Sequence, residues 1–116
     1  PLHQTYKETA DLEAELPGLD VLYMTRIQQE RFFNEEDYLR LKGCYQLDAG
    51  TLALAKSDTP VLHPLPRIDE IKPEIDSDPR AAYFDQVHNG VYIRMAIILA
   101  LLGIPDPVTG RTVLEG

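Results

Sequence analysis

The chain has 116 residues, with 11 lysines and arginines against 19 aspartates and glutamates, which gives a formal net charge of −8. The length predicts one domain, and 44% hydrophobic with 26% charged residues argues against a disordered chain. The acidic balance argues against binding to nucleic acid or to a membrane surface, because both need a basic face. No apolar stretch is long enough to predict a membrane span. The single cysteine, Cys44, cannot form an internal disulfide, which favours a cytoplasmic location.

The first element in chain order is a short helix, predicted over residues 9–16. Leu12 and Leu16 are four residues apart and therefore share one helical face. Thr9 is a suitable N-cap for this helix, and Pro17-Gly18 is a suitable end.

Strands and helices then alternate. Residues 20–25 form a continuous apolar run, which favours a parallel strand covered on both faces. A capped helix is predicted over residues 34–43, and a further short helix follows its predicted N-cap, Asp48. Residues 61–63 predict a second buried strand, which Pro64 ends. This alternation favours an α/β fold with a parallel sheet.

A long helix is predicted from about Arg80 to Leu102, with Asp78 as N-cap and Pro79 at its first position. Its second half is apolar on every face, with Arg94 as the single charged residue. A helix that is apolar all round must be buried on all sides. The other predicted elements can cover one side, so we expect a further surface to cover the other.

In α/β folds, binding sites form beyond the carboxyl ends of the strands. After the first strand, an extended chain would project Arg26, Gln28 and Glu30 to one side. The Arg26 guanidinium suits a carboxylate, Gln28 adds a donor and an acceptor, and Glu30 can hold Arg26 in place. The alternative is a solvated loop with a local salt bridge.

After the second strand comes the segment His63-Pro64-Leu65-Pro66-Arg67. The prolines fix their own φ and push His63 and Leu65 towards extended conformations. Prolines lack an N–H and cannot continue the ladder of a strand. The carbonyl groups here therefore have no strand partners and can accept hydrogen bonds from a ligand. The Leu65–Pro66 bond is a candidate cis peptide. The alternative is a rigid turn that binds nothing.

The sequence lacks the patterns that are typical of metal sites, phosphate-binding loops and catalytic nucleophiles. The three histidines and the cysteine lack metal-ligand spacing, so no metal site is expected. The residues around Asp78 are explained by helix capping, and neither a phosphate loop nor a nucleophile elbow occurs. Any enzymatic contribution must therefore come from positioning and electrostatics.

Three segments together resemble the aspartate carbamoyltransferase family. Residues 20–32, DVLYMTRIQQERF, resemble its aspartate-binding segment, and residues 63–71, HPLPRIDEI, resemble its carbamoyl-phosphate loop. Residues 76–84, followed by Gln86, Asn89-Gly90 and Arg94-Met95, resemble its C-terminal helix, whereas Asp85, Val87 and His88 depart from it. The order and spacing match as well, so the resemblance covers roughly residues 19–103.

This family transfers a carbamoyl group from carbamoyl phosphate to the α-amino group of L-aspartate, an early step of pyrimidine biosynthesis, without metal or organic cofactor. The resemblance implies that Arg26 binds an aspartate carboxylate with support from Gln28. It also implies that the main-chain carbonyls of Pro64, Leu65 and Pro66 are the catalytic groups. Those of Leu65 and Pro66 would bind carbamoyl phosphate, with the Leu65–Pro66 bond cis.

In the same resemblance, Glu30 orients Arg26 and Arg67 braces the loop. Residues 1–79 would be part of the aspartate-binding domain, a partial three-layer Rossmann-like α/β domain. Residues 80–103 would be the C-terminal helix, packing toward an N-terminal carbamoyl-phosphate domain that this chain lacks. Residues 104–116 would be a tail without a family match.

The resemblance further implies a homotrimer, and it leaves open a regulatory subunit or a fused dihydroorotase. The chain alone is expected to be inactive. One alternative is a transcarbamylase for another amine such as ornithine, although those enzymes typically carry His-Cys-Leu-Pro. A second alternative is a non-catalytic assembly homologue, because Gln29 stands where the family commonly has lysine.

Overall fold

The computed structural model describes residues 5–27, 34–36 and 45–112. Its elements in chain order are helix α1 (Leu12–Glu15), a first 3-10 helix (Leu16–Gly18), strand β1 (Leu22–Tyr23), helix α2 (Ala49–Leu52), strand β2 (Val61–Leu62), a second 3-10 helix (Pro73–Ser77) and helix α3 (Tyr83–Leu102). The alternation confirms the α/β prediction. Cys44 and most of the helix predicted over residues 34–43 lie outside the described residues.

The sheet is parallel, as predicted. β1 and β2 pair with Leu22 opposite Val61, and the ladder continues where the Met24 N–H donates to the Leu62 carbonyl at 2.8 Å. On the other side of β2, Val61 forms a parallel bridge with Ala81. β2 therefore lies between β1 and the segment that leads into α3.

β1 is covered on one face only, so the prediction of a strand buried on both faces was wrong. Leu22 and Met24 are buried, whereas Val21 is 49% and Tyr23 54% exposed. Side chains alternate between the two faces of a strand, and only the even-numbered ones of β1 point into the core. On the opposite face, Gln86 of α3 reaches the Tyr23 hydroxyl, but Tyr23 stays more than half exposed.

The core lies between the sheet and the short helices. Among the described residues, nine buried side chains form it: Leu16, Leu22, Met24, Leu47, Leu52, Val61, Ile71, Ile75 and Tyr83. Burial of one large apolar side chain contributes about 1.5–3 kcal/mol, so this cluster supplies the main stabilisation of the described region.

The helix caps follow local sequence in part. Asp48 caps α2 as predicted, since its carboxylate accepts the Thr51 N–H at 2.8 Å. The N-cap of α1 is Asp11, not Thr9, because Asp11 directly precedes the helix and its carboxylate accepts the Ala14 N–H at 3.0 Å. Thr9 instead accepts the N–H of Asp11 at 3.1 Å.

α3 begins at Tyr83, three residues later than predicted, and Asp78 is not its N-cap. The Asp78 carboxylate binds the Arg80 guanidinium at 2.8 Å. The Arg80 carbonyl accepts the Val61 N–H at 2.7 Å, so this segment is held against β2 and cannot be helical. The predicted end is confirmed, because Gly103 closes the helix in the left-handed region with φ 65°.

The apolar half of α3 is exposed on most sides. Its exposed side chains include Val91, Tyr92, Ile93, Met95, Ile97, Ile98, Leu101 and Leu102. The expectation that the other predicted strands and helices cover one side of this half is not met among the described residues, where α3 packs against β2 near its own beginning. No helix among the described residues is long and apolar enough to cross a membrane.

Candidate active site

The two segments that follow β1 and β2 meet at one cavity. The parallel strands end at the same edge of the sheet, which brings both segments together there. The cavity has a volume of about 380 Å³ and is lined by Thr25, Arg26, His63, Pro64, Leu65 and Pro66. Four of the predicted site residues therefore line the same cavity: Arg26, Pro64, Leu65 and Pro66.

Arg26 brings a positive charge to this cavity and is exposed to solvent. Its guanidinium can donate two parallel hydrogen bonds to a carboxylate, a geometry that a lysine ammonium does not offer. Gln28 and Glu30, the other predicted members of the aspartate-binding segment, lie outside the described residues.

The paired-proline loop (residues 63–67) has one predicted and one unexpected backbone feature. The Leu65–Pro66 peptide bond is cis, as predicted. Leu65 itself has φ 50°, in the left-handed region, so the prediction of an extended Leu65 was wrong. Leucine avoids this region when unconstrained, which means that contacts within the fold impose the conformation.

Both N–H groups of residues 63–66 are bound by side chains. The His63 N–H donates to Gln86 Oε1 at 2.8 Å, and the Leu65 N–H donates to His63 Nδ1 at 2.8 Å. Among the described residues, none donates a hydrogen bond to the carbonyl oxygens of Pro64, Leu65 or Pro66. As far as the described residues go, these three oxygens are open to N–H groups of a ligand.

A buried pair, His63 and Glu70, lies behind the loop. His63 is 1% and Glu70 5% exposed, and His63 Nε2 lies 2.7 Å from Glu70 Oε1. The other carboxylate oxygen of Glu70 accepts the N–H groups of Ile68 and Asp69, each at 3.1 Å. Burial acts to raise the pKa of Glu70, but the hydrogen bonds to its carboxylate outweigh burial and lower the pKa below its ordinary value.

Arg67 joins the loop to the second 3-10 helix and to α3. Its guanidinium binds both carboxylate oxygens of Asp76, one at 2.6 Å, and donates to the Tyr83 hydroxyl at 3.2 Å. These contacts are those expected of a residue that braces the loop. Hydrogen bonds from Arg67 and Tyr83 lower the pKa of Asp76, while burial and the Asp76 carboxylate raise the pKa of Tyr83 to about 12.

Sequence reasoning missed how Gln86 is used. Its carboxamide accepts the His63 N–H and donates to the Tyr23 hydroxyl at 3.0 Å, and thereby links both strands to α3. Gln86 and Glu70 stand within recognised motifs, but only the fold indicates which groups they reach. Within the described residues, no group of three or more histidine, cysteine, aspartate or glutamate side chains could hold a metal ion.

The chain is a domain of α/β type, with an arginine and a carbonyl-presenting loop at the carboxyl edge of its parallel sheet. Residues 3–101 match the family model described as aspartate/ornithine carbamoyltransferase, Asp/Orn binding domain. The chain belongs to this family.

Similar proteins are named aspartate carbamoyltransferase catalytic subunits. The chain is 60% identical over 99 residues to the aspartate carbamoyltransferase catalytic subunit of Clostridium kluyveri, covering 85% of this chain and 32% of that protein. The corresponding subunit of Lachnoclostridium phytofermentans is 61% identical over 99 residues, with the same coverage of 85% and 32%. The chain thus spans about a third of the length of these relatives.

Solved structures show the same fold. The aspartate transcarbamoylase of Trypanosoma cruzi in complex with aspartate and phosphate matches with a TM-score of 0.62 and 44% identity, over 74% of this chain and 24% of that one. Its complex with carbamoyl aspartate and phosphate matches with a TM-score of 0.66 and 44% identity, over 74% of this chain and 28% of that one.

Proposed function

We propose that this chain supplies the aspartate-binding part of an aspartate carbamoyltransferase of pyrimidine biosynthesis. The reaction joins carbamoyl phosphate and L-aspartate to give N-carbamoyl-L-aspartate and phosphate. The observation that carries the proposal is the cavity that is lined by Arg26 together with the loop residues Pro64, Leu65 and Pro66. The relatives of that name, at about 60% identity, support the same reaction.

Arg26 would bind an aspartate carboxylate through two charge-assisted hydrogen bonds. Gln28 would support the same substrate, and Glu30 would orient the Arg26 guanidinium. A carboxylate held at a fixed place also fixes the α-amino group of aspartate, and this orientation lowers the entropic part of the barrier.

The loop carbonyls of Pro64, Leu65 and Pro66 would act as the catalytic acceptors. Those of Leu65 and Pro66 accept hydrogen bonds from the NH2 group of carbamoyl phosphate, and the loop also orients the incoming amine. The amine lone pair attacks the carbonyl carbon and forms a tetrahedral intermediate. The C–O bond to phosphate then breaks, and the departing phosphate takes the proton that the amine loses. The residues of this chain therefore act by positioning and by placed dipoles.

The proposal includes surfaces that this chain does not contain. Residues 1–79 would belong to the aspartate-binding domain, residues 80–103 would form the helix that packs on an N-terminal carbamoyl-phosphate domain, and residues 104–116 would be a tail. The exposed apolar half of α3 supports this, since such a helix needs a covering surface. The active assembly would be a homotrimer, and a regulatory subunit or a fused dihydroorotase is compatible with it.

A chimera tests the proposal. In the catalytic subunit of Clostridium kluyveri, the 99 matched residues are replaced by the corresponding residues of this chain. We expect the chimera to form N-carbamoyl-L-aspartate from both substrates, and to form no product when ornithine replaces aspartate. A chimera that folds like its parent but makes no product would contradict the proposal. Loss of turnover with an intact fold would favour a non-catalytic assembly homologue.

A further inference from the structure

We propose that His63 is a positioning residue for carbamoyl transfer, whose Nδ1 atom holds the Leu65 N–H and so aims the loop carbonyls at the substrates. This inference rests on the proposed function, because it assigns a role within the same site. The assignment depends on three features of the structure: the burial of His63, the conformation of Leu65, and the way Glu70 holds the imidazole.

The side chain of His63 does not contact the substrate directly, because it is buried and both of its nitrogens are already hydrogen-bonded. Its side chain is 1% exposed although the residue lies in the cavity wall. Both ring nitrogens are bound by groups of this chain, Nδ1 by the Leu65 N–H at 2.8 Å and Nε2 by Glu70 Oε1 at 2.7 Å. Any effect of His63 on the reaction must therefore pass through the residues that it holds.

The backbone conformation of Leu65 requires a contact that holds it in place. Its φ of 50° places it in the left-handed region, which L-residues other than glycine disfavour because the Cβ approaches the carbonyl oxygen. The Leu65 N–H has one side-chain partner, His63 Nδ1. The orientation of the Leu65 N–H sets the plane of the Pro64–Leu65 peptide, and with it the direction of the Pro64 carbonyl oxygen.

Glu70 determines which imidazole nitrogen can accept. Because Nδ1 accepts the Leu65 N–H, the ring proton lies on Nε2 and is donated to Glu70 Oε1. The second oxygen of Glu70 accepts the N–H groups of Ile68 and Asp69. The pair thus holds the chain at residue 65, in the middle of the loop, and at residues 68–69, just beyond it.

Two substitutions in the chimera separate positioning from simple filling of space. His63→Asn keeps an acceptor near the place of Nδ1 but loses the bond to Glu70. His63→Gln keeps an amide near the place of Nε2 but has nothing at Nδ1.

If His63 positions Leu65, kcat should fall about 100-fold in the glutamine variant, because a small misplacement of the reacting groups lowers the rate by about this factor. The asparagine variant should retain at least about tenfold more activity than the glutamine variant, and KM for aspartate should change little in either.

If His63 only fills the core and satisfies Glu70, the larger glutamine should be the better replacement. Equal activity of the two variants, or higher activity of the glutamine variant, would overturn the inference while leaving the proposed function intact. An inactive unsubstituted chimera would overturn both.

A measurement on the unsubstituted chimera covers the case in which a variant does not fold. The 15N chemical shifts of the His63 ring report which nitrogen carries the proton. We expect an unprotonated Nδ1 that accepts a hydrogen bond, and a protonated Nε2. A proton on Nδ1 at the pH of the assay would overturn the inference, since Nδ1 could then not accept the Leu65 N–H.

Discussion

The guanidinium group of Arg67 lies 5.6 Å from the centre of the Tyr83 ring and donates a hydrogen bond to the hydroxyl of the same tyrosine. Tyr83 is the first residue of α3 and is fully buried, so this contact ties the carbonyl-presenting loop to the rigid end of a helix. Asp76 completes the group by accepting hydrogen bonds from both residues.

The first prediction concerns this cluster. Arg67→Lys in the chimera should lower kcat about tenfold, because a lysine ammonium cannot bind both oxygens of Asp76 and also reach Tyr83. Tyr83→Phe should lower the free energy of unfolding by about 1 kcal/mol, since it leaves the ring packed but removes the hydrogen bond to Asp76. Steady-state kinetics and denaturant unfolding measure the two effects. Lys7→Arg exchanges the same two cationic side chains at an exposed position within the matched residues and is the control. An equal loss of kcat in that variant would show that Arg67 has no specific role.

The second prediction concerns aspartate binding. Arg26→Ala should raise KM for aspartate about 10- to 100-fold, because two hydrogen bonds to a charged carboxylate are lost. KM for carbamoyl phosphate should change much less, since Arg26 is assigned to the other substrate. An unchanged KM for aspartate would exclude Arg26 as its ligand.

The third prediction is a pH dependence. Hydrogen bonds from the Arg80 side chain and backbone lower the pKa of Asp78 from 3.8 to about 2. A lowered pKa contributes stability that is fully present above the unfolded value and is lost as the pH falls through the folded value. The Asp78→Asn variant of the chimera should therefore be less stable than the parent at neutral pH, and the difference should shrink between about pH 4 and pH 2.

Denaturant unfolding at several pH values measures this difference. Asp58→Asn, which changes an exposed turn carboxylate, serves as the matched control. A stability difference for Asp78→Asn that is the same at pH 7 and pH 2 would show that the Arg80 pair does not act through the carboxylate charge.

The fourth prediction concerns the end of α3. Gly103 has φ +65° and open space where a Cβ would stand, so Gly103→Ala would be strained by conformation alone. The substitution should destabilise the protein by about 1 kcal/mol. Gly18→Ala is the control, because that position also has open space but does not have a positive φ. Thermal unfolding of both variants should separate them, and equal midpoints would contradict the prediction.

The sequence anticipated those features that arise from covalent constraints or from close neighbours. The two prolines indicated a stiff loop with unpaired carbonyls, and the cis bond before Pro66 followed the same interpretation. The cap at Asp48 was predictable because the carboxylate and the amide it binds are three residues apart. The prediction that Asp78 caps α3 was wrong because a contact between residues distant in sequence decides this segment. The Arg80 carbonyl accepts the Val61 N–H of β2, which keeps the segment extended.

What the sequence by itself determined is the α/β class, the parallel sheet, and the segments that carry Arg26 and the paired-proline loop. Each depends on periodicity or on the chemistry of adjacent residues. The tertiary structure alone decided the left-handed Leu65, the contact of His63 with Glu70 and the contact of Gln86 with the loop. The His63–Gln86 bond joins residues 23 positions apart, so chain folding had to bring them together before either group had a partner.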